Sequence, residues 1–385
     1  MGLKYNAHSL IWFVAFVGSR VALIVVASAG KGKHYHHHHR SSVPKYYPAF
    51  FIFGDSLSDT GNNNNLVTLA KATRPPYGRD SPQHIPTGRF SNGLLGPDFV
   101  AEFTGLPPPP PYLSGGDDYL QGVSFASSGS GILNSSGNVF GQHVPLRQQM
   151  VYFRKVRSAL QAKLGEGGVR NFFAKALFYI NIGSNDYIVN YLLTTGGVPS
   201  LLQTQYSPPQ FVGLLQSNLE LHIRELYGMG ARKVAVVGLS LLGCVPFQLM
   251  LQGSKTGACI DSINQLTRDY NAALLRRLQA LQAAYADAHF TYLSTYNLVD
   301  SIVKQPSAYG FKNTTFACCG SGRFNAWPTC SVRGLFKVCD DASKYVFWDF
   351  VHPTTAVNKL AAVKFWSGSF PDVSPYNLKQ LALLS

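Results

Sequence analysis

The stretch Ala49-Phe50-Phe51-Ile52-Phe53-Gly54-Asp55-Ser56-Leu57-Ser58 decides the fold of this chain. Its first five residues form a continuous apolar run closed by a glycine, the pattern of a β-strand buried on both faces. A serine follows at the point where the strand ends and a helix could begin. Further apolar strand candidates lie at 119–125, 176–182, 233–238 and 289–294. Helical periodicity appears between them. Leu146, Met150, Phe153, Leu160 and Leu164 give one stripe, Phe211, Leu215, Leu219, Ile223 and Leu226 a second, and Ile263, Leu266, Tyr270, Leu274, Leu278, Leu281 and Tyr285 a third. Strand–helix alternation predicts an α/β protein: right-handed crossovers, a mainly parallel five-stranded sheet, and helices on both faces. In such sheets ligands bind beyond the carboxyl ends of the strands, the edge on which Gly54–Ser56 and Gly183–Asp186 both fall.

A second run, Trp348-Asp349-Phe350-Val351-His352-Pro353, supplies a carboxylate and an imidazole three residues apart. Serine is a weak nucleophile and needs a neighbouring base. Asp349, one turn before His352, can accept the imidazole Nδ1–H and leave Nε2 to take the Ser56 proton. Pro353 fits the first position of a helix starting after the histidine. The oxyanion of an acyl-transfer intermediate needs donors. The backbone N–H of Ser56 can serve if a helix starts there, the Ser127–Gly131 turn can bring N–H groups close, and Asn185 can donate from its side chain. Each segment alone has an ordinary reading: Gly-Asp-Ser is a common tripeptide, and Asn-Asp after a strand commonly caps a helix. Their order along one chain points to acyl transfer. Asp55 reads as a structural hydrogen-bonding group and Asp186 as a group behind the site. His84, His143, His222 and His289 lack an acid at useful spacing.

The 385 residues suit one large α/β domain or two smaller ones. Lys4, the apolar run Leu10–Val26 and Ala27-Ser28-Ala29 predict a signal peptide over 1–29, and Arg20 with the cleavage motif argues against a retained membrane anchor. Residues 30–48, with His36 to His39, read as a flexible linker to a single domain at 49–385. Clustered imidazoles can bind metal, but the Gly, Lys and Ser neighbours favour a solvated segment. Asn134 and Asn313 open glycosylation sequons. The six cysteines, Cys244, Cys259, Cys318, Cys319, Cys330 and Cys339, are compatible with three disulfides, with Cys244–Cys259 the preferred bridge. The other four admit three pairings, and adjacency disfavours Cys318 with Cys319. No CxxC spacing suggests zinc, and no metal or other cofactor is expected. The net charge is +14, or +12 after loss of Lys4 and Arg20. Its basic residues are scattered without a Lys/Arg block, which argues against nucleic acid. An acidic partner, a pectin-like cell-wall polysaccharide or anionic lipid, fits better, and plain solubility accounts for the charge equally well. Residues 74–118, with the proline run 107–111, read as an irregular excursion that shapes part of the site.

Gly54-Asp55-Ser56-Leu57-Ser58-Asp59-Thr60-Gly61-Asn62 resembles the first signature block of the plant GDSL esterase/lipases, within the SGNH hydrolase superfamily. Thr87–Gly93 is similar to a second family segment. Gly122–Gly131 resembles the block that supplies an oxyanion glycine, which falls on Gly129. Ile182–Tyr187 resembles the block of the oxyanion asparagine, Asn185, and Phe347–Thr354 the block of the acid and base. The resemblance implies a flavodoxin-like three-layer α/β/α sandwich (the SGNH hydrolase fold), serine ester hydrolysis and no metal; with the signal peptide, sequons and even cysteine count, the expectation is a secreted hydrolase of lipid esters or of acylated or acetylated substrates. Ser56, Asp349 and His352 would be catalytic, with Ser56, Gly129 and Asn185 the oxyanion hole. Four positions depart from the family pattern: Ser124 for Asn, Ser128 for Gly, Leu241 for Pro and Leu94 for Arg. Two alternatives stand beside hydrolysis: transacylation onto an alcohol, as in cutin-polymerising relatives, and a catalytically silent wall- or lipid-binding protein.

Overall fold

Every residue of β1 (Phe50–Gly54) is buried, as its unbroken apolar run requires. The computed structural model describes residues 44–193, 198–330 and 334–385. The expected signal peptide 1–29 and the His-rich stretch as far as residue 43 lie outside the described residues. β1 pairs in parallel with β2 (Gly122–Ser124) on one side and β3 (Leu177–Asn181) on the other, with Phe51 opposite both Val123 and Phe178. β4 (Lys233–Gly238) and β5 (His289–Ser294) continue the parallel sheet. A small antiparallel ribbon joins β6 (Cys319–Gly320) to β7 (Lys337–Val338). The last strand, β8 (Val373–Ser374), pairs antiparallel with β5 and makes the sheet six-stranded, in the order β2-β1-β3-β4-β5-β8. The five strands expected from sequence are thus joined by one of only two residues, too short to carry a pattern.

Alternate residues of each strand face opposite layers. Phe51, Phe53, Phe178 and Ile180 pack on the helices Leu146–Lys175, Pro208–Gly228 and Asp261–Ala284. Phe50, Ile52, Leu177 and Tyr179 face the helices Gly96–Thr104, Thr295–Lys304 and Thr355–Ser367. The result is a three-layer α/β/α sandwich whose first five strands follow the flavodoxin order. Helix boundaries correct several expectations. Leu164 is 38% exposed, because the first long helix breaks at Gly165, whose φ is 73°. Leu266 and Tyr285 are only partly buried at the edge of their stripe. The 74–118 excursion is not irregular throughout, since it contains the helix Gly96–Thr104, with Pro97 in its first turn and Gly105 as left-handed cap. Tyr46 and Tyr47, assigned to the linker, belong to the packed fold: Tyr47 is buried and donates to Leu378 O, and Tyr46 stacks edge-on against Trp366 at 4.9 Å.

Candidate active site

Gly54 ends β1 where two backbones nearly touch; a Cβ there would lie 2.5 Å from Asn181 O, so only glycine fits. The buried Gln149 amide clamps it from both sides, accepting from Gly54 N at 2.9 Å and donating to Gly54 O at 2.8 Å. The chain then enters a turn rather than the helix the sequence suggested. Asp55 Oδ1 accepts the Leu57 N–H at 3.0 Å and Asp55 O accepts the Ser58 N–H at 3.0 Å. Ser56 sits at the tip of this turn, and its own N–H has no partner among the described residues. A turn leaves that N–H free just as a helix start would.

Ser56 Oγ lies 2.8 Å from His352 Nε2, across 296 positions of sequence. His352 Nδ1 lies 2.8 Å from each oxygen of Asp349. The network assigns Nδ1–H to the donor side and Nε2 to the acceptor side. Asp349 Oδ1 also accepts the backbone N–H of Val351 at 3.0 Å and of His352 at 2.9 Å. The pair therefore occupies a carboxylate-capped turn, not a helix. The helix begins only at Thr355, two residues beyond Pro353, with Thr354 at its N-cap. Burial pushes the Asp349 carboxyl up, but His352 and the surrounding donors outweigh it and hold the group below the ordinary carboxylate range. Tyr77 is a member the sequence did not reveal. Its hydroxyl donates to Asp349 Oδ2 at 2.7 Å, and burial beside that carboxylate keeps it a phenol. The Phe90 ring packs 4.8 Å from the imidazole centroid.

The turn that carries Asp349 and His352 is braced by cystines. Cys244 pairs with Cys259, Cys318 with Cys339 and Cys319 with Cys330. Cys318 N donates to Phe347 O at 2.9 Å and Cys319 N to Trp348 O at 2.7 Å. Trp348, fully buried, packs among the four clustered cysteines.

The Ser127–Gly131 turn is tied to the segment after Ser56. Asp59 accepts the N–H groups of Gly61, Asn62 and Ser128 at 2.8, 2.6 and 3.0 Å. Asn62 Nδ2 donates to Ser124 O and Ala126 O, and Asn63 Nδ2 to Ala70 O and Ser128 O. Gly129 adopts φ 83°, the left-handed region, and its N–H has no partner among the described residues. Asn185 Nδ2 donates to Ser130 O at 3.0 Å, which leaves its second N–H available. Asp186 accepts from Ile132 N, Leu133 N and Ser136 Oγ, so it anchors the loop behind the turn rather than Ser56, Asp349 or His352. Of the departures, Ser124 donates to Ser58 O at 3.3 Å and Ser128 leaves the turn's backbone bonds intact.

A cleft of about 100 Å³ opens beside Ser56 and His352, with Asn185 on its rim. Asp55 also lines it; burial pushes its carboxyl up to about 7, and Oδ2 has no hydrogen-bond partner. The remaining sequence candidates lie elsewhere. Asn134 is exposed, and the Asn313 side-chain oxygen accepts from Thr315 N and Phe316 N. His222, expected to lack an acid, stands 3.6 Å from Glu225 one helical turn on. No helix among the described residues is long and apolar enough to cross a membrane.

An α/β sandwich with a serine–imidazole–carboxylate relay at its carboxyl edge is the architecture of a serine hydrolase. Residues 50–365 match the family model of the GDSL-like lipase/acylhydrolases, and the chain belongs to that family. It is similar to three Arabidopsis thaliana proteins. GDSL esterase/lipase At5g08460 is 38% identical over 350 residues, 89% of this chain and 90% of that one. GDSL esterase/lipase At1g71250 is 38% identical over 342 residues, 88% and 89% of the two chains. GDSL esterase/lipase 7 is 39% identical over 348 residues, 88% and 92%. The chain is a carboxylic ester hydrolase of the GDSL type.

Proposed function

We propose that this protein hydrolyses esters through an acyl-enzyme on Ser56. The observation that carries the reading is the 2.8 Å contact from Ser56 Oγ to His352 Nε2, with Asp349 behind the ring. Nε2 takes the Ser56 proton as Oγ attacks the ester carbonyl. The tetrahedral oxyanion is held by the Ser56 N–H, the Gly129 N–H and the free amide hydrogen of Asn185. Asp349 stabilises the imidazolium, which then protonates the departing alkoxide. Water, deprotonated at the same nitrogen, attacks the acyl carbonyl, and collapse of the second intermediate frees the acid and restores Ser56. A fluorophosphonate probe should label Ser56 in the intact protein, and Ser56→Ala should abolish both labelling and hydrolysis of p-nitrophenyl butyrate. Undiminished turnover by purified Ser56→Ala would overturn the assignment.

The protein acts outside the cell in this reading. Three disulfides favour an oxidising compartment, and residues 1–29 have signal-peptide chemistry. Glycans on Asn134 and Asn313 would accompany that route. The +12 charge of the chain without residues 1–29 supports residence near an acidic polymer, with a pectin-like wall polysaccharide the natural candidate. Secretion into culture medium with loss of residues 1–29 by N-terminal sequencing, together with retention on polygalacturonate at low salt, tests both parts. Retention of the intact N-terminus inside the cell would refute the first, and failure to bind the polymer the second.

A further inference from the structure

We propose that the cleft beside Ser56 is a blind chamber for the acyl chain of the substrate, which makes the protein selective for esters of aliphatic acids longer than acetate. This rests on the ester-hydrolase reading above and names its substrate class. The chamber runs from Ser56 and His352 down between the sheet and two helices of one layer. Tyr179 of β3 lines it from the sheet, Leu298 and Val299 from the helix Thr295–Lys304, and Val357, Ala361 and Phe365 from the helix Thr355–Ser367. The last three recur every four residues, so one helix face forms a wall. Ala361, the smallest of them, sits between the two larger side chains and leaves space where a bulkier residue would fill the layer.

Two physical arguments assign the occupant. Protein interiors are close-packed, and an apolar void loses the contacts that filling it would make. A void that adjoins the nucleophile and is walled mainly by apolar side chains, with Asp55 the one carboxyl on its lining, fits a ligand of hydrocarbon character. The second argument separates acyl chain from alcohol. The alcohol must leave after the first half-reaction, and water must replace it next to His352 Nε2. That side needs an open path. The acyl chain stays covalently attached to Ser56 Oγ through both half-reactions, so a closed end suits it. The wall residues are themselves buried, from 1% exposed at Tyr179 to 8% at Ala361, so the inner end is closed.

The test varies the two halves of the ester separately. Across p-nitrophenyl acetate, butyrate, hexanoate and octanoate, kcat/KM should rise about fourfold per added methylene until the chamber is full. Across hexanoate esters of methanol, butanol and octanol it should change little. Ala361→Phe should cut the octanoate-to-acetate ratio of kcat/KM at least tenfold. That ratio does not depend on the fraction of protein folded. Val299→Ala, which only enlarges the chamber, should move the preferred acid to a longer chain. A flat acyl profile, an unchanged ratio in Ala361→Phe, or a preference that follows the alcohol would each overturn the chamber while leaving ester hydrolysis intact. Loss of all hydrolysis and of Ser56 labelling in the native protein would instead overturn the reading on which the chamber rests.

Discussion

Tyr77→Phe removes one hydroxyl from the site and leaves the packing of the ring, which stands 5.7 Å from Phe90 and 6.2 Å from Trp348. That hydroxyl donates at 2.7 Å to Asp349 Oδ2, and Asp349 is fully buried. Losing a hydrogen bond to a charged group costs about 1.5–3 kcal/mol. With an unfolding entropy of about 2.1 cal/mol/K per residue over roughly 340 folded residues, the melting temperature should fall by about 2–4 °C. The chemical effect has a definite sign. The phenol is one of the donors that hold the Asp349 carboxyl below its ordinary range, so without it that carboxyl rises toward the ordinary value. The stability that the depressed carboxyl contributes is then lost at a higher pH on acidification, and the acid edge of the melting temperature should move up in pH. Thermal melts at neutral and acidic pH read both effects. A variant with the native melting temperature and the native acid edge would show that Tyr77 does not support Asp349.

Gly129→Ala forces a Cβ into the left-handed region 3.1 Å from Phe140 Cδ2. It should cost about 1–2 kcal/mol and, by turning the N–H away, lower kcat by about a hundredfold; native kcat in this variant would exclude Gly129 as an oxyanion donor. The double variant Cys319→Ser with Cys330→Ser should lose about 3 kcal/mol of stability and much of its activity, since Cys319 N holds Trp348 O beside Asp349. Unchanged activity would show that the acid–base turn needs no such brace. Asp55 supplies a pH dependence of stability. Its carboxyl stays protonated in the fold up to about 7 but ionises at its ordinary 3.8 when unfolded. Between those values the unfolded chain binds fewer protons, so stability falls as pH rises through the window, by up to about 4 kcal/mol. Asp59 and Asp186, pushed up to about 6 by burial, act in the same direction. Melting temperature should decline from pH 4 to 7, and less steeply in Asp55→Asn; a rise across that range would contradict the burial argument.

How far the site could be read in advance varied with the kind of signal. Phe50–Gly54 and its successors were legible as strands because a buried parallel strand is an unbroken apolar run, a local property. The helix Gly96–Thr104 was missed inside a Pro- and Gly-rich stretch, although Pro97, Asp98 and Gly105 are helix start and stop signals. β8 is two residues long and has no pattern to detect. Tyr77 lies 272 positions from Asp349, with no spacing rule to link them. Cys318 and Cys319 pair outward to Cys339 and Cys330, a choice among alternatives that cysteine spacing leaves open.

The amino-acid sequence by itself determined the class of fold and the kinds of chemistry available: strand and helix periodicity, a serine, a carboxylate–imidazole pair, and turns rich in glycine and asparagine. These are short-range properties, set by the side chains of a few neighbouring residues. Only the tertiary structure decided which groups meet. It brought Ser56 Oγ within 2.8 Å of His352 Nε2, placed the Tyr77 hydroxyl on the far oxygen of Asp349, and left an apolar space between one face of the sheet and the helix Thr355–Ser367. Contacts of that kind depend on how whole layers pack, so they become visible only when the chain is folded.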